Sequence, residues 1–287
     1  HTLQDLKNFL VTSKATASLK YNSSTTDCVL STGIDTFDIR DSKKKKIVTA
    51  TNIYFYDKEF VELLCPFTGV ILIDATFDAV PHVKDNSNMQ FLSILAKITF
   101  NGHSKAFPVF WVIMSNKAEE CYLKAFNYFA SQFPTFQPTT CLTDHELAMR
   151  NAVKKIYPDI INRTCYFHYS QALIKNAKEK KVITSNSSTY SNPELFYVIN
   201  LLKYLAFLPA HCINVTYEAV KEEAKNYFED LFNDFFEYYE DQWLKKEGPK
   251  QFSVFDRLED RTTNIVESYH SQLNALTVKH PDSNKFL

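Results

Sequence analysis

The chain has 287 residues, which is enough for one large domain or for one domain that carries an inserted subdomain. Hydrophobic residues make up 45% of it, so a sizeable core can be buried, while the presence of only 4 glycines disfavours glycine-rich phosphate loops and a turn-dense all-β fold. The formal net charge of -1 provides no overall basic surface, and the 6 cysteines lack the dense, regular spacing of a secreted disulfide framework.

The hydrophobic pattern predicts a mixed α/β fold. Residues 1–50 are polar, and they predict a short helix near residues 2–12, loops and at most one strand. Asn101-Gly102 is the strongest hairpin signal, because both residue types tolerate the positive φ of a tight turn. The predicted strands are Gly69–Ile73, Phe91–Phe100, Ala106–Met114, Thr139–Thr143 and Arg163–Phe167, and the helices between and after them are Glu119–Phe133, residues 145–157 and Tyr169–Lys181. This order predicts a mixed five-stranded sheet flanked by helices.

A helical region follows the predicted sheet. Residues 184–192 are polar and form a linker, and residues 193–246 predict helices throughout, with aromatic side chains at helical spacing. We expect this aromatic stripe to form the core of a helix bundle rather than a base-stacking surface. A last helix is predicted over residues 262–277. No apolar run reaches the length of a membrane span, so we expect no membrane partner.

Two aspartates come directly after predicted strands. Asp74 follows four apolar residues, and Asp144 follows the strand that ends at Thr143. Ligands bind at the carboxyl ends of strands in open α/β sheets, so the pair suggests a divalent metal held by oxygen ligands. The alternative for Asp144 is a helix N-cap, since Asp is a preferred capping residue; for Asp74 this alternative is weaker, because no helix obviously starts there.

Other polar residues admit two interpretations each. Glu267 lies on the last predicted helix, and the sequence pattern alone favours an ordinary surface glutamate. Cys165 and His168 form a Cys-x-x-His pair that could belong to a zinc site, for which His211 and Cys212 are the nearest further ligands. Zinc is disfavoured because the second half of the motif is missing, and the alternative is a packed cysteine beside a hydrogen-bonded histidine.

Five short motifs together resemble the Mutator-like (MULE) DNA transposases, in order and spacing, from about residue 66 to the C-terminus. They are Ile73-Asp74-Ala75-Thr76-Phe77, Phe107-Pro108-Val109-Phe110, Thr143-Asp144-His145-Glu146, Cys165-Tyr166-Phe167-His168, and the segment Arg261-Thr-Thr-Asn-Ile-Val-Glu267-Ser-Tyr-His270. Each motif is weak alone and their combination is specific. The chain departs from the family at Ala75, Asp78 and Thr263, where the family commonly has Gly, a basic residue and Asn; these departures affect substrate contacts rather than metal ligands.

The resemblance implies an RNase H-like fold and a catalytic triad of Asp74, Asp144 and Glu267. The triad would bind two Mg²⁺ (or Mn²⁺) ions for DNA strand cleavage and strand transfer at transposon ends. It also implies that His168 donates to the scissile phosphate. His270 lies one helical turn after Glu267, so we expect it to face the same site and either to contact DNA or to orient the glutamate. Arg261 and Asn264 are candidate contacts to phosphates or bases. The implied organisation is a partly irregular segment at 1–65, the first part of the catalytic core at 66–182, an all-α insertion at 183–250, and a C-terminal catalytic helix at 251–287 that completes the core.

The implied partners are double-stranded DNA and a second copy of the chain in a homodimer, and the implied location is the nucleus, in keeping with the lysine run at residues 43–46. Because the chain starts at His1, we expect it to be a piece of a longer protein with its DNA-binding module upstream. Two alternatives stay open. One is a domesticated transposase-derived DNA-binding or transcriptional regulator without catalysis, and the other is a helical scaffold, which would require Asp74 and Asp144 to lie far apart.

Overall fold

The computed structural model describes residues 30–41, 46–77, 79–80, 89–184, 186–187, 189, 191–257 and 261–276. Its strands are β1 (Ser31–Asp41), β2 (Lys46–Tyr56), β3 (Val70–Thr76), β4 (Gln90–Phe100), β5 (His103–Met114), β6 (Thr140–Thr143) and β7 (Ile161–Thr164). Its α-helices are α1 (Lys58–Leu64), α2 (Glu119–Gln132), α3 (Leu147–Ile156), α4 (Tyr166–Glu179), α5 (Pro193–Tyr204), α6 (Ala210–Phe228), α7 (Asn233–Tyr239), α8 (Pro249–Phe252) and α9 (Asn264–Leu276). Short 3-10 helices occupy Cys65–Phe67 and Leu205–Phe207, and Glu240–Glu247 is a π-helix.

The seven strands of the described residues belong to one mixed sheet with the order β1-β2-β5-β4-β3-β6-β7. The prediction of a mixed α/β fold is therefore confirmed, but the prediction of five strands is wrong. The two additional strands are β1 and β2, which pair antiparallel along their whole length, from Ser31 opposite Tyr56 to Asp41 opposite Lys46. They come from a region where the sequence predicted loops and at most one strand; the predicted helix near residues 2–12 lies outside the described residues.

The order of elements from β3 to α4 is the predicted one. Asn101 and Gly102 connect β4 to β5 with φ values of 50° and 77°, which confirms the hairpin prediction. In the centre of the sheet, β3 pairs antiparallel with β4 and parallel with β6. Because β4 also pairs antiparallel with β5, the strands β3, β5 and β6 all run in the same direction and end at the same edge of the sheet.

The two faces of the sheet are buried differently. Ile71 and Ile73 of β3 point into a large aromatic core with α2, which includes Phe126 and Phe129. Leu72 lies between them in sequence and therefore points to the other face, as alternation along a strand requires. There it packs against Val266 of α9. The helix α9 thus covers the face opposite to α2.

The described residues divide into two compact units, one made of the residues up to Asn162 together with those from Thr263, and the other of Arg163–Thr262. The second unit is helical and has its own core. Part of the predicted aromatic stripe forms that core: Phe232, Phe235, Phe236 and Trp243 are all at most 1% exposed. Tyr204 and Tyr227, which the prediction also included, are instead 57% and 73% exposed. Among the described residues, none of the helices has the length and hydrophobicity that a membrane crossing requires.

Candidate functional site

Parallel pairing of β3 and β6 places Asp74 and Asp144 at one edge of the sheet. Val70 pairs with Thr140 and Leu72 with Leu142, so two residues further along each chain the same register reaches the two aspartates. Asp74 lies inside β3, which continues to Thr76, rather than after the end of the strand, while Asp144 directly follows β6. Asp74 and Asp144 lie near each other because they are carried by neighbouring strands that run in the same direction.

Asp74 is a buried carboxylate with a histidine beside it. Asp74 is 7% exposed, and its Oδ2 lies 3.3 Å from Nδ1 of His270. The other ring nitrogen of His270, Nε2, lies 3.0 Å from Oγ of Ser93, the residue that pairs with Asp74 across β3 and β4. His270 itself is only 4% exposed. The imidazole therefore joins two neighbouring strands and fixes the Asp74 carboxylate on the face of the sheet that α9 covers.

Glu267 is carried by the same helix. Val266 is fully buried between Leu72, Leu95 and Leu142, which docks the first turns of α9 on the sheet. Glu267 is half-buried, and its Oε1 accepts a hydrogen bond of 3.0 Å from Oγ1 of Thr263. The helix that holds Glu267 thus lies on the face of the sheet that carries Asp74.

A second contact fastens α9 to the sheet. Trp111 of β5 pairs with Ser93 of β4, which in turn pairs with Asp74 of β3, so the three side chains form a row across three strands. Nε1 of Trp111 donates a 2.6 Å hydrogen bond to the hydroxyl of Tyr269 on α9. Two consecutive helix residues, Tyr269 and His270, are therefore bound to one row of the sheet.

Asp144 is held by backbone rather than serving as the cap of a helix. Its Oδ1 accepts a 2.9 Å hydrogen bond from the backbone N–H of Glu146. The helix α3 begins only at Leu147, and its N-cap position is Glu146, which makes no capping hydrogen bond through its side chain. This hydrogen bond orients the carboxylate, and the residue as a whole is half-buried.

Glu146 is a further acid near Asp74 and Asp144, and it was not selected from the sequence as a site residue. Burial raises the pKa of its carboxyl above the ordinary value, and the charges of Asp144 and Asp74 raise this pKa further. A hydrogen bond from the Tyr122 hydroxyl and the charge of Lys117 act in the opposite direction. Asp74 and Asp144 therefore both lie close enough to Glu146 for their charges to act on its carboxyl. The only available signal was the position of Glu146 two residues after Asp144.

The remaining predicted site residues divide between the two units. His270 and Asn264 are on α9, where Asn264 is exposed and borders an open groove of about 350 Å³ between α9 and the sheet. Cys165, His168 and Arg261 belong to the second unit. Cys165 is fully buried at the start of α4, and the guanidinium of Arg261 lies over the ring of Phe207 at 5.4 Å.

The further zinc ligands considered from the sequence can be placed in the second unit. His211 is exposed and Cys212 is half-buried near the start of α6. Within the part of the chain that the structure describes, neither joins Cys165 and His168 in a group of three possible metal ligands.

The acids of the sheet edge supply oxygen donors only. Carboxylate oxygens are the ligands preferred by hard divalent cations such as Mg²⁺ and Mn²⁺. Several carboxylates in a part-buried position repel one another unless cations neutralise them. The chemistry of the donors therefore fits divalent metal ions.

Comparison with known protein families matches residues 70–172 to the MULE transposase domain. This segment is therefore similar to the MULE transposase domain. It contains Asp74, Asp144, Cys165 and His168, whereas Glu267 and the rest of α9 lie beyond the matched residues. No curated protein matches the chain.

The family assignment confirms the resemblance found in the sequence, and it connects the acidic edge of the sheet with a transposase-related function. A transposase acts on DNA, so DNA is the partner of the MULE transposase domain in general terms. The strands β3 and β6, which carry the two aspartates, both lie inside the matched segment.

Proposed function

We propose that the chain is the catalytic domain of a DNA transposase, with an RNase H-like fold and a metal-binding triad of Asp74, Asp144 and Glu267. The observation that carries the proposal is the parallel register of β3 and β6, which brings Asp74 and Asp144 to one edge of the sheet inside the MULE transposase domain. The docking of α9 on the same face of the sheet supports Glu267 as the third acid. The reaction would be DNA strand cleavage followed by strand transfer at transposon ends.

Two Mg²⁺ or Mn²⁺ ions are the cofactors that this set of donors fits. Asp74, Asp144 and Glu267 would hold them, and Glu146 adds negative charge beside Asp144. When bound, such a pair of ions promotes deprotonation of the attacking hydroxyl and stabilises the leaving oxygen of an in-line displacement. Structural zinc at Cys165 and His168 forms no part of the proposal.

The protein itself contributes preorganisation. Each of the three carboxylates has a neighbour that limits its rotation: His270 for Asp74, the backbone N–H of Glu146 for Asp144, and Thr263 for Glu267. Groups that are already oriented need not reorganise when charge develops in the transition state. The predicted domain ranges fit this proposal, with residues 66–182 and 251–287 forming the catalytic core and residues 183–250 an inserted helical region.

Double-stranded DNA at the transposon end and at the target site would be the substrate. Pairing of two ends implies a homodimer, and action on chromosomal DNA implies a nuclear location; both are proposed by analogy with transposases in general.

A nicking assay on supercoiled plasmid DNA tests the proposal. We expect the wild-type chain to nick DNA in Mg²⁺ or Mn²⁺ and to lose this activity in EDTA. Asp74→Asn, Asp144→Asn and Glu267→Gln should each lower the rate by about a thousand-fold or more, because the variants keep the shape of the side chain and remove a metal-binding charge. Glu120→Gln, which changes an exposed acid on α2, is the matched control and should nick like the wild type.

The outcomes separate the proposal from its alternatives. Metal-dependent nicking that persists in Asp74→Asn or Asp144→Asn would refute the triad. Loss of nicking in both aspartate variants together with full activity of Glu267→Gln would remove Glu267 from it. A wild-type chain that binds DNA and nicks it in neither metal would instead favour a non-catalytic regulator.

A further inference from the structure

The loops that follow β3, β5 and β6 gather at one edge of the sheet, because these three strands run in the same direction. Phe77 lies in the loop after β3, Lys117 in the loop after β5, and Glu146 in the loop after β6. Two of these side chains, Phe77 and Lys117, have not been given a role so far. Both lie at the same edge of the sheet as the acids, and neither is itself an acid.

Phe77 is exposed, unlike the described residues nearest to it in the sequence. It is 45% exposed, whereas Ala79 and Val80, just beyond it, are buried in a small cluster with Phe91 and Ile113. The ring is three residues from Asp74. A large aromatic side chain beside a polar site offers a flat apolar surface on which a nucleic-acid base can stack without regard to sequence.

Lys117 lies over that ring. Its Nζ is 5.9 Å from the centroid of Phe77, at the outer range of a cation–π contact. Its side chain is exposed, and its charge acts on the carboxylate of Glu146. The ammonium group therefore lies near both the exposed ring and Glu146, where it can reach an anion that approaches the acidic edge.

We propose that Phe77 and Lys117 form a DNA-strand contact beside the acidic site, in which Lys117 binds a backbone phosphate and Phe77 stacks on an adjacent base. This inference rests on the proposed function, because it takes DNA as the molecule that enters the site. A chain with a net charge of -1 offers little general attraction for phosphates, so a lysine beside the acidic edge would add to the hold on the DNA strand there. The exposed ring makes the contact tolerant of sequence.

A simpler interpretation is that Lys117 only offsets the charge of Glu146 and that Phe77 is one of several exposed apolar side chains. The two interpretations differ in what removal of the lysine does to DNA binding. A phosphate contact contributes to the dependence of binding on salt, whereas a lysine that only balances a neighbouring carboxylate does not.

The experiment measures binding of the full chain to a fluorescein-labelled duplex with a single-stranded 3′ overhang. Fluorescence anisotropy is recorded in Ca²⁺, to avoid cleavage, over a series of NaCl concentrations. Lys117→Ala should weaken binding and lower the slope of log K against log[NaCl] by about 1, and Lys117→Arg should restore both. Phe77→Ala should weaken binding about 10-fold with an unchanged salt slope, and Phe77→Trp should bind like the wild type.

Lys124 supplies the matched control. Its Nζ lies over the ring of Phe37 at 5.7 Å, so it is an exposed lysine in the same kind of contact, in the same compact unit. Lys124→Ala should bind DNA like the wild type. Thermal melts of all variants establish that each is folded.

Failure of this inference and failure of the proposed function look different. If wild-type chain binds and nicks DNA while Lys117→Ala and Phe77→Ala behave like Lys124→Ala, the strand contact is overturned and the triad stands. If Lys117→Ala lowers the salt slope but Asp74→Asn nicks like the wild type, the strand contact is supported and the triad is overturned. A wild-type chain that does not bind the duplex overturns both.

Discussion

At the scale of single residues, His270 holds two side chains of the sheet at once. The sequence placed it one turn after Glu267 and left two roles open, a DNA contact or orientation of the glutamate. In the structure its ring is buried between the Asp74 carboxylate and the Ser93 hydroxyl. We therefore describe His270 as a positioning residue for Asp74, since it contacts a proposed metal ligand and is itself shielded from solvent.

Removal of the His270 ring should destabilise the fold. His270→Ala leaves the buried Asp74 carboxylate and the Ser93 hydroxyl without this partner, and an unsatisfied buried polar group is costly. We expect the free energy of unfolding to fall by about 2–3 kcal/mol, measured by urea denaturation in EDTA. Ser271→Ala, at the next position of α9, changes an exposed side chain and should stay within about 0.5 kcal/mol of the wild type. Equal stability of the two variants would contradict the role given to His270.

The environment of Glu146 could not be predicted from the sequence around it. A glutamate at the start of a helix is usually solvated, so the sequence favoured no role for it. Its burial beside Tyr122 and its proximity to Asp74 depend on how α2, β3 and α3 pack together. Such proximity between residues far apart in the chain has no local signal in the sequence.

At the scale of elements, the order from β3 to α4 was predictable because each strand is a compact apolar run and each helix a stretch with a period near 3.6. The strands β1 and β2 were missed for a physical reason. Ser31–Asp41 is a polar edge strand with intermediate or exposed side chains along most of its length, and it resembles a loop in composition. The apolar part of β2 follows a run of lysines that obscured where the strand begins.

Gly33 explains how the edge strand packs closely against α2. A Cβ atom at this position would overlap the hydroxyl end of Tyr128. The Tyr128 ring cannot move away freely, because it stacks on Tyr54 with a centroid distance of 4.1 Å. Gly33→Ala should therefore lower the free energy of unfolding by about 1–3 kcal/mol, as expected for overpacking, in a urea denaturation measurement.

Gly69 offers the comparison for this prediction. A Cβ atom there would meet its nearest neighbour, Oγ1 of Thr139, at 3.9 Å, which is ordinary van der Waals contact. Gly69→Ala should be neutral or slightly stabilising. If Gly33→Ala were as stable as Gly69→Ala, the close approach of β1 to Tyr128 would not describe the protein.

At the scale of the whole molecule, the proximity of Asp74 and Asp144 could be predicted from the sequence, whereas the face of the sheet on which α9 packs could not. Strands that run in the same direction present their carboxyl ends at one edge, and the sequence contained both strands. The contacts that seat α9, from Trp111 to Tyr269 and from Ser93 to His270, join residues 158 and 177 positions apart. A helix that covers one face of a sheet has the same hydrophobic period as a helix that covers the other, so the sequence pattern does not decide between them.

The charge of the molecule is also organised above the level of single residues. The net charge of -1 does not show how the charges are distributed. Asp74, Asp144 and Glu146 form an acidic edge, and Lys117 places a positive charge beside it. The central claim is that this edge, completed by Glu267, binds two divalent cations. Repulsion among the acids is the cost of such a site in the absence of metal.

Calorimetric titration of the full chain with Mn²⁺ tests that claim most directly, because it needs neither DNA nor turnover. We predict two bound ions per chain for the wild type and for Glu120→Gln. Asp74→Asn, Asp144→Asn and Glu267→Gln should each lose at least one ion or bind about 10-fold more weakly or worse. A wild-type chain that binds no Mn²⁺, or three variants that bind two ions with wild-type affinity, would contradict the account.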